Sequence, residues 1–146
     1  MAVAIATLGG IGRAPLAPGT VASAVTAAAL WLLQLPPLGL VAVLIAVVGL
    51  GTWAAEEAER PLGGKDPGAI VVDEVAGMVL SILAVPPTAA VLVVAFLLFR
   101  VFDVVKPFPA NVAQRLRGGV GVMVDDLIAG LYALALVGLA RWLGWL

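Results

Sequence analysis

The chain has 146 residues, 63% of them hydrophobic and 12% charged, with a mean hydropathy of +1.17. Soluble domains carry about 25% charged residues, so this balance argues for a membrane protein, with room for a single domain over residues 1–146. A net charge of −1 gives no support to nucleic-acid binding. The absence of cysteine and histidine removes disulfides, thiolate nucleophiles, phosphohistidine intermediates and the usual zinc ligands.

Met1 to Leu8 is apolar but too short to span a membrane, and Gly9, Gly10 and Gly12 break any continuation of it. It reads as an interfacial segment or a packed-in arm. Lacking a basic flank and a cleavage site, it is not expected to act as a signal peptide. The turn-rich passage from Arg13 leads into a first helix, Val21 to Gln34, for which Thr20 is the expected N-cap. Its small residues, among them Ala22, Ser23, Ala24 and Ala27, suit a central place in a bundle, where neighbouring backbones approach closely. After the uncharged turn at Pro36-Pro37, a second helix is expected over Leu38 to Ala55, leading into Glu56-Glu57-Ala58-Glu59-Arg60. Asp66 followed by Pro67 has the pattern of an N-cap with proline at the first helical position. A third helix is therefore placed from Pro67 to Val85, with Asp73 on nearly the same face as Asp66. Pro86-Pro87-Thr88 is a second uncharged turn. A fourth helix runs from Ala89 to about Lys106, stopped by Pro107. A glycine-rich basic loop with Arg115 and Arg117 then precedes a fifth, Val122 to Trp142, with Asp125 and Asp126 in about its first turn.

The fold class read from this pattern is all-α, a polytopic membrane bundle of about five helices. The helices run to roughly 14–21 residues against the 20 or so that a span requires. Every charged residue except Arg141 lies at the ends opposite the two Pro-Pro turns. Threading the helices as alternating hairpins gathers Arg13, Glu56 to Arg60, Lys65 to Glu74, Arg100 to Lys106 and Arg115 to Asp126 on one side. The positive-inside rule makes that side cytoplasmic, and Trp142 and Trp145 then suit the far interface.

Three helix ends thus converge, carrying Asp66, Asp73 and Glu74, then Asp103, then Asp125 and Asp126. Carboxylates in such apolar surroundings require metals, cations or each other. Arg100, Asp103 and Lys106, at steps of three, share a helix face. Val72-Asp73-Glu74 and Val124-Asp125-Asp126 are each followed by a glycine, Gly77 and Gly130, where a neighbouring helix has room to pack close. Up to six carboxylates near one point repel unless a cation sits among them, and an all-oxygen donor set favours Mg²⁺ or Mn²⁺ over zinc. Basic residues on the same face, including Lys65, Arg100 and Lys106, suit an anion, phosphate above all. Two other readings compete: a non-catalytic bundle with structural salt bridges, and a small ion or proton transporter. Acids at helix ends rather than at the midplane argue against the transporter.

Four blocks carry a resemblance to a known family: Ala17-Pro18-Gly19-Thr20-Val21-Ala22-Ser23; Asp66 to Gly77 around Ile70-Val71-Val72-Asp73-Glu74; Phe99 to Pro109; and Gly118 to Gly130. In this order, over nearly the whole chain, they resemble phosphatidylglycerophosphatase A, a small bacterial membrane phosphatase. The resemblance implies Mg²⁺-dependent hydrolysis of phosphatidylglycerophosphate to phosphatidylglycerol and inorganic phosphate, at the cytoplasmic face of the bacterial inner membrane. It places Asp66, Asp73, Glu74, Asp103, Asp125 and Asp126 as ligands of one or two Mg²⁺ ions, with Mn²⁺ as the alternative. Asp73, Glu74, Asp103 and Asp126 are the expected catalytic carboxylates. Thr20, Ser23, Lys65, Arg100 and Lys106, with the amides at the first helix start, are the expected phosphate contacts. The chain lacks a DxDxT signature and any histidine, so metal-assisted displacement is the expected mechanism, with an aspartyl phosphoenzyme as its rival. The departures from the family's pattern are Ala22, where glycine often precedes the serine; Lys65, where histidine can occur; and Phe108, where tryptophan is frequent. The expected partners are the substrate and membrane lipid, with no nucleic acid; the oligomeric state is open, a homodimer included.

Overall fold

The computed structural model describes residues 1–64, 67–113 and 115–146, and among these the regular structure is helical, with no strand. The short α1, Ala2–Ala6, is followed by a kinked 3₁₀ stretch, Leu8–Arg13. Then come α2, Pro18–Leu33; α3, Pro37–Leu62; α4, Val72–Leu80; α5, Ala89–Val105; the one-turn α6, Ala110–Ala113; and α7, Gly118–Trp142. Two of these, α3 with 26 residues and α7 with 25, are long and apolar enough to cross a membrane.

Several boundaries differ from the sequence expectation, each for a local reason. Helix α2 begins at Pro18, capped by Ala17 in a left-handed conformation (φ 44°), so Thr20 lies inside the first turn and is not the N-cap. Proline has no N–H to satisfy and a φ already suited to a first helical position, which favours that start. Helix α3 continues through Glu56 to Arg60 and stops at Leu62, where Gly63 takes a positive φ of 108°. The charged run is therefore helical, and the helix is ~39 Å long.

The largest correction concerns the third expected helix. It begins at Val72 rather than Pro67 and ends at Leu80. The Val71 N–H donates to the Ala6 carbonyl of α1 at 2.9 Å, and Ile70 N–H to Pro67. Gly12 has no side chain where the Ala69 carbonyl crosses it, a position a Cβ would occupy. These bonds draw the backbone before Val72 toward the amino-terminal arm, delaying the helix. At nine residues, α4 rises only ~14 Å, and seven of its residues are buried, Asp73 among them. It is a central plug packed against α7, α3 and α2.

The main core joins Met78, Val79 and Ile82 to Phe99, Val91 and Leu92 of α5 and to Ala129, Ala133 and Val137 of α7. A second cluster joins Ala54, Ala55 and Ala58 of α3 to Val72, Ala76 and Met123. The outer surface is apolar: Trp31, Leu32, Ile45, Leu50, Leu97 and Val101 are all exposed. Extensive exposed hydrocarbon of this kind belongs against lipid rather than water. At one end the two uncharged turns meet, since Gln34 Nε2 donates to the Pro87 carbonyl at 3.3 Å.

Candidate active site

Three helices, α4, α5 and α7, deliver the charged side chains to one place. Asp73 and Glu74 occupy the first turn of α4. Asp125 and Asp126 sit two turns into α7 rather than in its first, because that helix starts earlier than expected, at Gly118. One carboxylate oxygen from each of Asp73, Glu74 and Asp126 falls within 4.8 Å of the others. Asp126 is 2% exposed, so the group lies inside the protein. Asp103 of α5 lies beside Asp126.

Two cations flank the acids. Arg100 Nη1 is 2.7 Å from Asp103 Oδ2 and 3.7 Å from Glu74 Oε1, linking α5 to α4. Lys106 Nζ donates to Asp125 Oδ2 and lies 3.9 Å from Asp103 Oδ1. Lys106 caps α5 in a left-handed conformation (φ 47°) with its N–H on the Phe102 carbonyl. A non-glycine residue held there is strained by ~1–2 kcal/mol, which the ion pair to α7 helps to offset. Burial draws the Lys106 pKa down. The hydrogen bond and charge of Asp125, with the charges of Asp103 and Asp126, outweigh that and hold it above the ordinary lysine value.

Glycines set how closely the acids approach. A Cβ on Gly130 would stand 2.5 Å from the Gly77 carbonyl oxygen, and one on Gly77 would strike the Phe99 ring and lie 2.8 Å from the Asp126 carbonyl. The two glycines read from the sequence as close-packing points thus pack against each other, and their contact sets α4 beside α7 with both acidic pairs adjoining. Sequence reasoning did not single out Gly19. A Cβ there would strike the Glu74 carboxylate and stand 3.2 Å from Arg100 Nη1, so the first turn of α2 lies directly on the site. The Pro18-Gly19 pair at a helix start was the available signal.

Of the expected phosphate contacts, Arg100 and Lys106 join the cluster. The hydroxyl of the fully buried Ser23 donates to the Gly19 carbonyl at 2.8 Å, so it lines the same turn of α2. Thr20 is half-buried in that turn. Lys65 and Asp66 lie outside the described residues. Arg115 and Arg117 are exposed, Arg117 as the N-cap of α7. Glu74 Oε2 and Asp126 Oδ2 are buried with no hydrogen-bond partner among the described residues. Orphaned acidic oxygens facing a third carboxylate, all hard donors, fit a divalent oxygen-seeking cation such as Mg²⁺. Asp73, Glu74 and Asp126 are the residues that would hold it, while Asp103 and Asp125 are engaged by Arg100 and Lys106.

Fold and site together define a helical membrane protein with a buried, all-oxygen acidic centre flanked by two cations. The chain belongs to the phosphatidylglycerophosphatase A family, whose sequence model matches residues 4–141, and it is accordingly a phosphatase. A protein of Bacteroides thetaiotaomicron described as a putative phosphatidylinositol-3-phosphatase is 41% identical over 96% of this chain and 93% of its own length. Phosphatidylglycerophosphatase A of Escherichia coli is 32% identical over 83% of this chain and 72% of its own. Its Haemophilus influenzae counterpart is 37% identical over 60% of this chain and 55% of its own. No solved structure matches the chain.

Proposed function

We propose that the protein hydrolyses the terminal phosphate of phosphatidylglycerophosphate, in a Mg²⁺-dependent reaction at the cytoplasmic face of the inner membrane, releasing phosphatidylglycerol for phospholipid synthesis. The observation that carries this is the meeting of Asp73, Glu74 and Asp126 within 4.8 Å, with Arg100 and Lys106 beside them. Acids alone would repel a phosphate, and cations alone would bind it without reaction. When bound, Mg²⁺ supplies a Lewis acid that polarises the phosphoryl group and makes water a better nucleophile. The protein's own part is to hold the phosphate. Arg100, tethered to Glu74 and Asp103, and Lys106, tethered to Asp125, present positive charge to the phosphoryl oxygens and stabilise what builds there in the transition state. The amides of the first turn of α2, beside Glu74, add donors at a helix amino terminus. Asp103, beside Asp126, is placed to take or return a proton.

Charges at helix ends favour a bundle with its acidic end in the cytoplasm, the two Pro-Pro turns outside, and substrate arriving laterally in the bilayer. The transporter reading gives way to family membership, and the salt-bridge reading covers Asp103, Asp125 and one oxygen of Glu74 but not the buried Oε2 of Glu74 or Oδ2 of Asp126. In the test, the purified protein in detergent, given phosphatidylglycerophosphate, should release inorganic phosphate with Mg²⁺ and none in excess chelator. Phosphodiester lipids should be untouched and phosphatidic acid poorer. Full activity in chelator would overturn the metal's role; ion flux without phosphate release would overturn the enzyme reading. A second substrate, phosphatidylinositol 3-phosphate, is favoured by the relative bearing that description. Comparing kcat/KM for the two lipids decides between them.

A further inference from the structure

We propose that the groove between α2 and α5 seats one acyl chain of the lipid whose phosphate enters the acidic site. The proposal rests on the lipid-phosphatase reading above and names where that lipid's hydrocarbon lies. The groove has a volume of about 280 Å³ and is lined by Ala24, Ala27, Ala28 and Trp31 from α2 and by Leu92 and Phe96, among others, from α5.

Its direction ties it to the site. On α5, Phe96, Val93 and Ala89 stand four, seven and eleven residues before Arg100, so they continue the Arg100 face away from the acids. On α2, Ala24, Ala27 and Trp31 continue the face of Thr20 in the same way. The two helices approach each other at the charged end, where a Cβ on Gly19, next to Thr20, would stand 3.2 Å from Arg100 Nη1. Continued one turn past Phe96 and Ala24, the two helices thus lead from a hydrocarbon groove to a guanidinium and a helix amino terminus, both suited to phosphate.

The dimensions match one leaflet. From Arg100 to Ala89 is eleven residues, ~16 Å along the helix, about half a hydrocarbon core of ~30 Å. Ala24, Ala28 and Val93 are exposed along the groove, so a chain enters sideways from the bilayer without threading. Alanines on the α2 wall leave the width that larger side chains would fill. Lipid that reaches the site with one chain so seated has its head held at Arg100 rather than free to tumble, which raises the frequency of productive encounters.

The test uses the full-length protein in mixed micelles with phosphatidylglycerophosphate of two chain lengths, dioleoyl and dihexanoyl. Ala28→Phe and Ala24→Phe fill the groove from exposed positions, so the core need not repack. Each should lower the long-to-short ratio of kcat/KM about tenfold, the equivalent of about two buried methylenes. Ile45→Phe, an equally apolar change on the exposed face of α3, should leave that ratio as in the wild type. A dioleoyl substrate carrying a diazirine in one chain should crosslink to α2 or α5, and Ala28→Phe should reduce the yield. Wild-type ratios in both groove variants would overturn the proposal while leaving the phosphatase reading standing. Absence of phosphate release from either lipid by the wild type would sink the phosphatase reading itself. A change from dimer to monomer in Ala28→Phe, with the ratio unchanged, would reassign the groove to a contact between copies and so also overturn the proposal.

Discussion

Asp126 presents a buried oxygen without a hydrogen bond among the described residues, against the acids of Glu74, Asp73 and Asp103. Such repulsion is tolerated only if something of opposite charge shares the space when the protein works. Asp73→Asn and Asp126→Asn should therefore each cut phosphate release at least about a hundredfold, while the proteins still insert and melt cooperatively. In chelator, Asp126→Asn should melt no lower than wild type, because it relieves repulsion. Saturating Mg²⁺ should raise the wild-type melting temperature and leave that of Asp126→Asn little changed. A wild-type melting temperature indifferent to Mg²⁺ would contradict the metal assignment. Lys106 is a different case, since its partner Asp125 is only 3% exposed. Lys106→Met should cost roughly 2 kcal/mol, discounted for the part of the lysine that stays in solvent. Denaturant titration in micelles would measure it, and restoration by Asp125→Asn in the double variant would show that the pair is the cause.

At the scale of helices, the contact that matters most is the crossing of α4 and α7 at Gly77 and Gly130. Removing side chains there lets two short acidic stretches, one on each helix, come together. Gly130→Ala would place a methyl 2.5 Å from the Gly77 carbonyl oxygen, and neither backbone has room to yield. The expected result is a loss of about 1–3 kcal/mol. Activity should fall by more than the folded fraction does, because the helices must part and the acids with them. Gly138, on the same helix but with open space around it, is the control: Gly138→Ala should be neutral or stabilising by about 0.5–1 kcal/mol. Equal activity in the two variants would show that the crossing does not set the site.

For the whole molecule, the prediction is topological. The chain has no native cysteine, so single cysteines report cleanly. Arg60→Cys and Arg117→Cys should label only from the cytoplasm, and Pro36→Cys and Pro86→Cys only from outside; all four native residues are exposed. The same-side placement of the last two is already favoured by the Gln34 bond to the Pro87 carbonyl. Labelling of Arg60→Cys and Pro86→Cys from one side would end the hairpin arrangement.

The helical class and the uncharged turns were legible in the residues alone, because hydropathy and charge are properties of composition along the chain and need no partner. So were the motif blocks, and the two close-packing glycines, since a glycine after buried acids marks room for a backbone. Only the tertiary structure decided which acids meet. Asp73, Glu74 and Asp126 group together while Asp103 turns to Arg100 and Asp125 to Lys106, a choice among chemically equal carboxylates that depends on helix rotation. It also decided where α4 begins. Asp66-Pro67 has the local pattern of a helix start, but the Val71 N–H is taken by the Ala6 carbonyl. A hydrogen bond across sixty-five positions of sequence outweighs a propensity of about 1 kcal/mol, and it leaves α4 a short buried plug rather than a span.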